Sequence, residues 1–176
     1  MNPFFTIGHS NRDFDAFAAL LAQAHIEHLV DVRTVPRSRT NPQFNEDVMP
    51  DALGAAGISY EHLAALGGLR GRSKTVPPDE NGFWQNESFH HYADYAMTPD
   101  FDRGLGRLIE RGRRQRCVVM CAEAVWWRCH RRIVADHLLA RGFEVLHIMG
   151  DGRIDAAQLT RGAVVGDDGM VRYPAG

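Results

Sequence analysis

Apolar residues along this chain fall into two kinds of run. Short, nearly unbroken runs at 4–8 (FFTIG), 58–63 (ISYEHL), 117–123 (CVVMCAE) and 144–149 (EVLHIM), with another centred on 29–32 inside HIEHLVDVR, predict five strands. Between them the apolar spacing becomes helical. Phe14, Phe17, Leu20 and Leu21 follow Ser10 and Asp13, which together read as a capping box with Asp standing where Glu is usual. Further helices are predicted over 46–56, closed by Gly57, and over 88–97. Another runs over 100–113, with Phe101, Leu105, Leu108 and Ile109 on one face, and the last over 129–140, ending at Gly142.

Strand and helix alternate almost throughout. That order builds a parallel sheet covered on both faces, with right-handed crossovers. The fold class expected is α/β: a three-layer, Rossmann-like, mostly parallel sheet of about five strands with helices on both faces. Residues 1–150 form a single domain in this reading. Residues 151–176 form a C-terminal extension packed on it, with a short helix at 155–160 and a hairpin around Gly166–Gly169. Two loops stand out. Residues 34–46 carry two prolines among polar residues, and 67–86 is long enough to be a functional lid or a disordered segment.

Composition narrows the class. Of 176 residues 44% are hydrophobic and 24% charged, ordinary for a globular domain. No apolar stretch has the roughly 20 residues a membrane span needs, and the N-terminus lacks a basic region before an apolar one. A cytoplasmic protein with no membrane partner is expected. Cys117, Cys121 and Cys129 lie in one segment, which suits a reduced compartment better than a disulfide framework. The net charge of −2 argues against bulk attraction to nucleic acid, though Arg33, Arg37, Arg39, Arg70 and Arg72 could form a local basic face. All the cations but Lys74 are arginine, whose fork suits phosphate and carboxylate, although coding bias would give the same excess.

In a sheet of this kind ligands bind beyond the carboxyl ends of the strands. The predicted strands end in, or are followed by, His9, the pair Asp31 and Arg33, His62, the pair Cys121 and Glu123, and His147. Each has a plainer alternative. His9 could simply bond its turn, and His62 and His147 could be packing residues. Asp31 could be one half of a structural ion pair. Asp31 and Arg33 flank Val32, and they are expected to leave the strand on different sides. The segment CAEAVWWRCHR (121–131) is the richest. A cysteine where a strand turns toward a helix meets backbone N–H groups and a positive helix end, which favour thiolate. Cys121 and Arg128 could bracket an anion, and Cys121 could equally be a small core residue. Cys121, Cys129 and His130 could hold zinc, and the two cysteines could form a redox pair. Of the adjacent Trp126 and Trp127, one could be a stacking platform.

Thr6-Ile7-Gly8-His9-Ser10-Asn11, Asp31-Val32-Arg33 with Pro36 and Ser38, Phe44, Tyr60, Leu66-Gly67-Gly68, Cys121-Ala-Glu, Cys129-His130-Arg131 and His147-Ile148 come in an order that resembles the domain of unknown function 488 family. The likeness runs over about residues 4–150. It implies a compact α/β fold and marks His9, Ser10, Asp31, Arg33, Ser38, Gly67, Gly68, Cys121, Glu123, Cys129, His130 and Arg131 as motif positions. It brings no biochemical role for them.

The reading is an enzyme, a hydrolase or transferase, acting on a small anionic or nucleotide-like ligand. His9, Asp31, Cys121 and Glu123 would be catalytic. Ser10, Arg33, Ser38, Gly67, Gly68, Trp126, Arg128, His130 and Arg131 would bind the ligand. No cofactor is required. Two alternatives stay open: a non-catalytic module binding a nucleotide or nucleic acid, and a zinc-dependent hydrolase built on the Cys/His cluster.

Overall fold

A computed structural model describes residues 1–176. Six strands form the central sheet: β1 (Phe4–Gly8), β2 (His28–Asp31), β3 (Ser59–His62), β4 (Cys117–Cys121), β5 (Val145–Gly150) and β6 (Arg153–Ala156), in the order β3-β2-β4-β1-β5-β6. The first five run parallel, and β6 pairs antiparallel with β5. The helices are α1 (Phe14–Gln23), α2 (Met49–Gly54), α3 (Glu87–Tyr95), α4 (Pro99–Arg114) and α5 (Arg131–Ala140). This is a three-layer, Rossmann-like α/β fold.

Alternation along the strands separates two cores, because successive side chains leave a strand on opposite faces. Phe5, Ile7, Leu29, Val118 and Met120 pack against Phe17, Leu20 and Leu21 of α1 and Met49 and Leu53 of α2. Phe4, Val30, Val119 and Cys121 face the other way, toward Tyr92, Phe101, Leu105, Leu108 and the apolar side of α5. The chain crosses one face on its way from β1 to β3. It crosses the other on its way from β3 through β4 to β5. Strands β1 and β4 are neighbours with oppositely directed exits, so their carboxyl ends frame a topological switch point.

Several local expectations are corrected. The cap of α1 is Asp13, whose carboxylate accepts the Ala16 N–H at 2.7 Å. Ser10 lies three residues upstream in a left-handed turn (φ 52°), so it cannot begin the helix. The predicted helix at 155–160 is absent. A turn through Gly152 (φ 69°) folds the chain back, and 153–156 covers the otherwise unpaired edge of β5. The sheet therefore has six strands, one more than expected. The hairpin around Gly166–Gly169 is present, as β7 (Val164–Val165) and β8 (Val171–Arg172).

The tail also reaches into the core. Tyr173 is buried, and its hydroxyl donates to Asp136 on α5 at 2.8 Å. The Tyr173 N–H bonds Asn81, whose amide in turn donates to Asp94. This ties down the second half of the 67–86 loop, which forms a 3-10 turn at Pro78–Asn81. No helix is long and apolar enough to cross a membrane.

Burial holds His137 and His147, among other histidines, neutral. It lowers His137 to about 3, with Arg141 adding to the effect. It lowers His147 to about 4, with Arg131 adding. Unfolded, each would titrate near 6.5. Between those values the unfolded chain binds more protons, so stability must drop as pH falls from 6.5 toward 3–4. Thermal unfolding followed across that window should show His137→Leu losing less midpoint temperature on acidification than the wild type does.

Candidate active site at the switch point

The site begins with backbone pairing. Beyond the last ladder pair, Gly8 with Cys121, the His9 N–H donates to Cys121 O at 2.9 Å and the Ser10 N–H to Ala122 O at 3.0 Å. The turns leaving β1 and β4 are thus held side by side. A Cβ at Gly8 would collide with Glu123 O and the Arg131 guanidinium, so only glycine allows this approach.

On the α1/α2 face stands an ion pair. Asp31 is fully buried. One of its oxygens accepts the Arg33 backbone N–H at 3.1 Å and Nε at 2.9 Å. The other accepts Arg33 Nη2 and the Tyr60 hydroxyl, at 2.7 and 2.6 Å. Arg33 Nη2 also donates to Phe44 O, and Nη1 to His9 Nε2 at 3.2 Å. The expectation that Asp31 and Arg33 leave on different sides is overturned. Residues two apart along an extended chain share a face, and the guanidinium folds back along it. Asp31 has no lone pair left for a substrate. Burial, then the Asp31 carboxylate, pushes the Tyr60 phenol upward, so it remains a donor.

His9 is fixed by the same network. Its Nδ1 lies 2.8 Å from Ser10 O, an acceptor, so Nδ1 carries the proton and Nε2 is the lone pair facing Arg33. Burial first, and then Arg33, lowers its pKa against the opposing pull of the Ser10 carbonyl and Asp31. The ring stacks on Phe44 at 4.5 Å.

On the opposite face lies a second guanidinium. Arg131 is 0% exposed and has no carboxylate partner. Nη1 donates to Cys121 Sγ at 2.9 Å and to Glu123 O at 2.7 Å, Nη2 donates to Ala124 O, and Nε has no partner. Another guanidinium, Arg12, is depressed by burial and then by the nearby Arg131 charge. A cation so placed needs a negative partner, and the sulfur is the one ionisable group bonded to it. Burial opposes ionisation of Cys121. The Cys129 thiol, the Arg131 charge and a backbone hydrogen bond at Glu123 outweigh it, and the Cys121 pKa is lowered. Cys129 moves the other way, raised by burial and by Cys121. Cys117 is pushed up to about 12 by burial.

His130 closes this side. Its Nε2 lies 2.9 Å from Val32 O, so Nε2 is protonated and Nδ1, 3.5 Å from Cys129 Sγ, is the acceptor. Burial lowers its pKa to about 4. The ring lies against Gly68, where any Cβ would strike it.

Between the two clusters opens a cavity of about 580 Å³. His9, Arg33, Ser38, Gly68, Cys121, Glu123, Arg128, Cys129 and His130 line it. Five residues expected at the site stand behind its walls. Asp31 and Arg131 each hold a lining residue in place. Gly67 packs on Thr34, Ser10 shapes the turn after β1, and Trp126 stacks on His147 at 4.9 Å. Trp127 is the exposed tryptophan of the pair. Asn86, Ser88 and Phe89 line the cavity as well, though sequence reasoning did not select them. The cap Asn86, which accepts the Phe89 N–H, was the available signal. No group of three His, Cys, Asp or Glu side chains is placed to hold a metal ion. At Cys121, Cys129 and His130, the buried Arg131 charge would also repel one.

The Asp31 network should govern stability. Asp31→Asn, which strands the buried Arg33 charge, is expected to cost about 3–5 kcal/mol. Tyr60→Phe, which removes one hydrogen bond to a carboxylate, is expected to cost about 1.5–3 kcal/mol. Guanidinium chloride unfolding measures both.

Comparison with known proteins places this architecture in a family. The model described as Domain of unknown function DUF488 matches residues 13–138, from the cap of α1 well into α5. That stretch holds Asp31, Arg33, Tyr60, Cys121 and the Cys129–Arg131 run, while His9 and β5 lie outside it. No curated protein and no solved structure matches the chain. With most of its length covered by that model, the chain belongs to the DUF488 family of domains of unknown function.

Proposed function

We propose that this protein is an enzyme, a hydrolase or group transferase, in which the Cys121 thiolate attacks a small anionic or nucleotide-like substrate. The observation that carries the reading is the buried Arg131 guanidinium, whose one ionisable hydrogen-bond partner is Cys121 Sγ at 2.9 Å. A thiolate held by a fixed cation at the end of a strand is an activated nucleophile.

The rest of the cavity supplies complementary parts. Arg37 and Arg128 line it and form no ion pair, which suits a phosphate or carboxylate on the substrate. Arg33 keeps one Nη1 hydrogen beyond its bonds to Asp31, Phe44 and His9. The Glu123 carboxylate is exposed on the wall and bonded to nothing, free to give or take a proton at the leaving group. His9 has its Nε2 already engaged by Arg33, so it fits the role of a neutral orienting group better than that of a free base. A covalent adduct on Cys121 would then pass its group to water or to a second substrate. Arg39 lines a neighbouring groove that shares Arg37 and Ser38 with the cavity, a cationic rim that also suits a nucleotide or a nucleic-acid strand bound without chemistry.

Iodoacetamide alkylation of the native protein, followed at each cysteine by peptide mass spectrometry across pH, separates these readings. Cys121 should react with a midpoint well below the free-thiol value of about 8.5, while Cys117 stays inert. Arg131→Met should slow Cys121 alkylation at neutral pH by about tenfold or more, since each pKa unit changes the thiolate fraction by that factor. An ordinary Cys121 thiol would defeat the catalytic reading and leave ligand binding by the arginines.

A further inference from the structure

Cys129 has no part in the reaction just described, yet it lines the same cavity as Cys121. Both sulfurs are held by one residue. Cys121 Sγ accepts from the Arg131 side chain at 2.9 Å, and Cys129 Sγ accepts from the Arg131 backbone N–H at 3.4 Å. The two sulfurs are near enough to act on each other's ionisation, Cys121 downward and Cys129 upward. Cys129 Sγ also lies 3.5 Å from the unprotonated Nδ1 of His130, kept bare because Nε2 bonds Val32 O.

We propose that Cys121 and Cys129 act as an attacking and a resolving thiol, so that this site carries thiol–disulfide exchange with a small anionic disulfide. The inference rests on the reading of Cys121 as a thiolate nucleophile and names a substrate class for it. In the first step the Cys121 thiolate attacks one sulfur of the disulfide. A Cys121–substrate disulfide forms, the substrate S–S bond breaks, and one substrate thiolate departs. In the second step the Cys129 sulfur attacks Cys121 Sγ and displaces the other substrate thiolate. The Cys129 proton passes by way of His130 Nδ1 to a departing thiolate. The substrate is reduced by two electrons to one thiolate and one thiol, and the protein is left with a Cys121–Cys129 disulfide. An external dithiol returns it to the reduced state.

The electrostatics change in the required direction between the steps. The Cys121 charge is one of the causes that keep the Cys129 proton on, and Arg131 pulls it the other way. Once Cys121 is in a mixed disulfide that charge is gone, and the buried guanidinium has one sulfur left to stabilise. The resolving thiol is thereby activated only after the first attack. Arg37 and Arg128 at the mouth favour a disulfide bearing carboxylates.

The test uses the full-length reduced protein and 5,5′-dithiobis(2-nitrobenzoate), itself a small anionic disulfide, at neutral pH. Release of the coloured thiolate is followed, and the product is then mapped by peptide mass spectrometry. The expected result is a fast first equivalent and a second, with no aryl group retained and Cys121 linked to Cys129. Cys129→Ser should release one equivalent only and keep the aryl adduct on Cys121. Release of a single equivalent by the native protein, with the adduct retained on Cys121, would overturn the resolving role and leave the nucleophile intact. No fast reaction at Cys121 would overturn the nucleophile itself. The native-protein map decides between these outcomes whether or not the Cys129→Ser chain folds.

Discussion

Arg131 sits at the base of the thiol side of the candidate site. Its guanidinium is shut away from water, and no carboxylate comes near enough to neutralise it. Backbone carbonyls of Glu123 and Ala124 satisfy part of its hydrogen-bonding demand, but dipoles do not cancel a net charge. The sulfur of Cys121 is what remains. A buried cation is expensive unless compensated, and the same energy that would penalise a bare guanidinium favours loss of the thiol proton. The strand end, the loop that follows it and the first turn of α5 are all arranged around that one side chain.

The other half of the site obeys the opposite rule. Arg33 has its carboxylate, and the Asp31 pair is saturated by Tyr60, Phe44 and the backbone. Breaking a saturated buried pair is costly, and the pair itself is inert, which makes it a good support for something else. Here it fixes the tautomer and orientation of His9. Two arginines of similar burial thus take different roles, and the presence or absence of a carboxylate decides which.

The topology puts the two halves together. Helices α1 and α2 cover one face of the sheet, and α4 and α5 cover the other, so the exits of β1 and β4 diverge. The gap they leave becomes the cavity, with the ion-pair cluster on one side and the thiol cluster on the other. Its mouth carries the arginines that have no ion pair, which gives a chain of net charge −2 a locally cationic opening.

Much of this was set by the sequence alone. Unbroken apolar runs and helical spacing determined the five parallel strands, the layered class and the end of the sheet where polar residues collect, because burial on both faces or on one stripe leaves a local periodic mark. The residues after the strands, His9, Arg33, Cys121 and Glu123, were legible for the same reason. The roles within that set were not. Whether Asp31 was a base or a brace depended on Tyr60, and whether Arg131 held a ligand or a thiol depended on its burial. The contribution of Asn86, Ser88 and Phe89 depended on how α3 meets the sheet edge. The sixth strand depended on an open edge at β5. Each rests on a contact between residues distant in the chain or on the exclusion of water, and neither quantity exists until the chain has closed on itself.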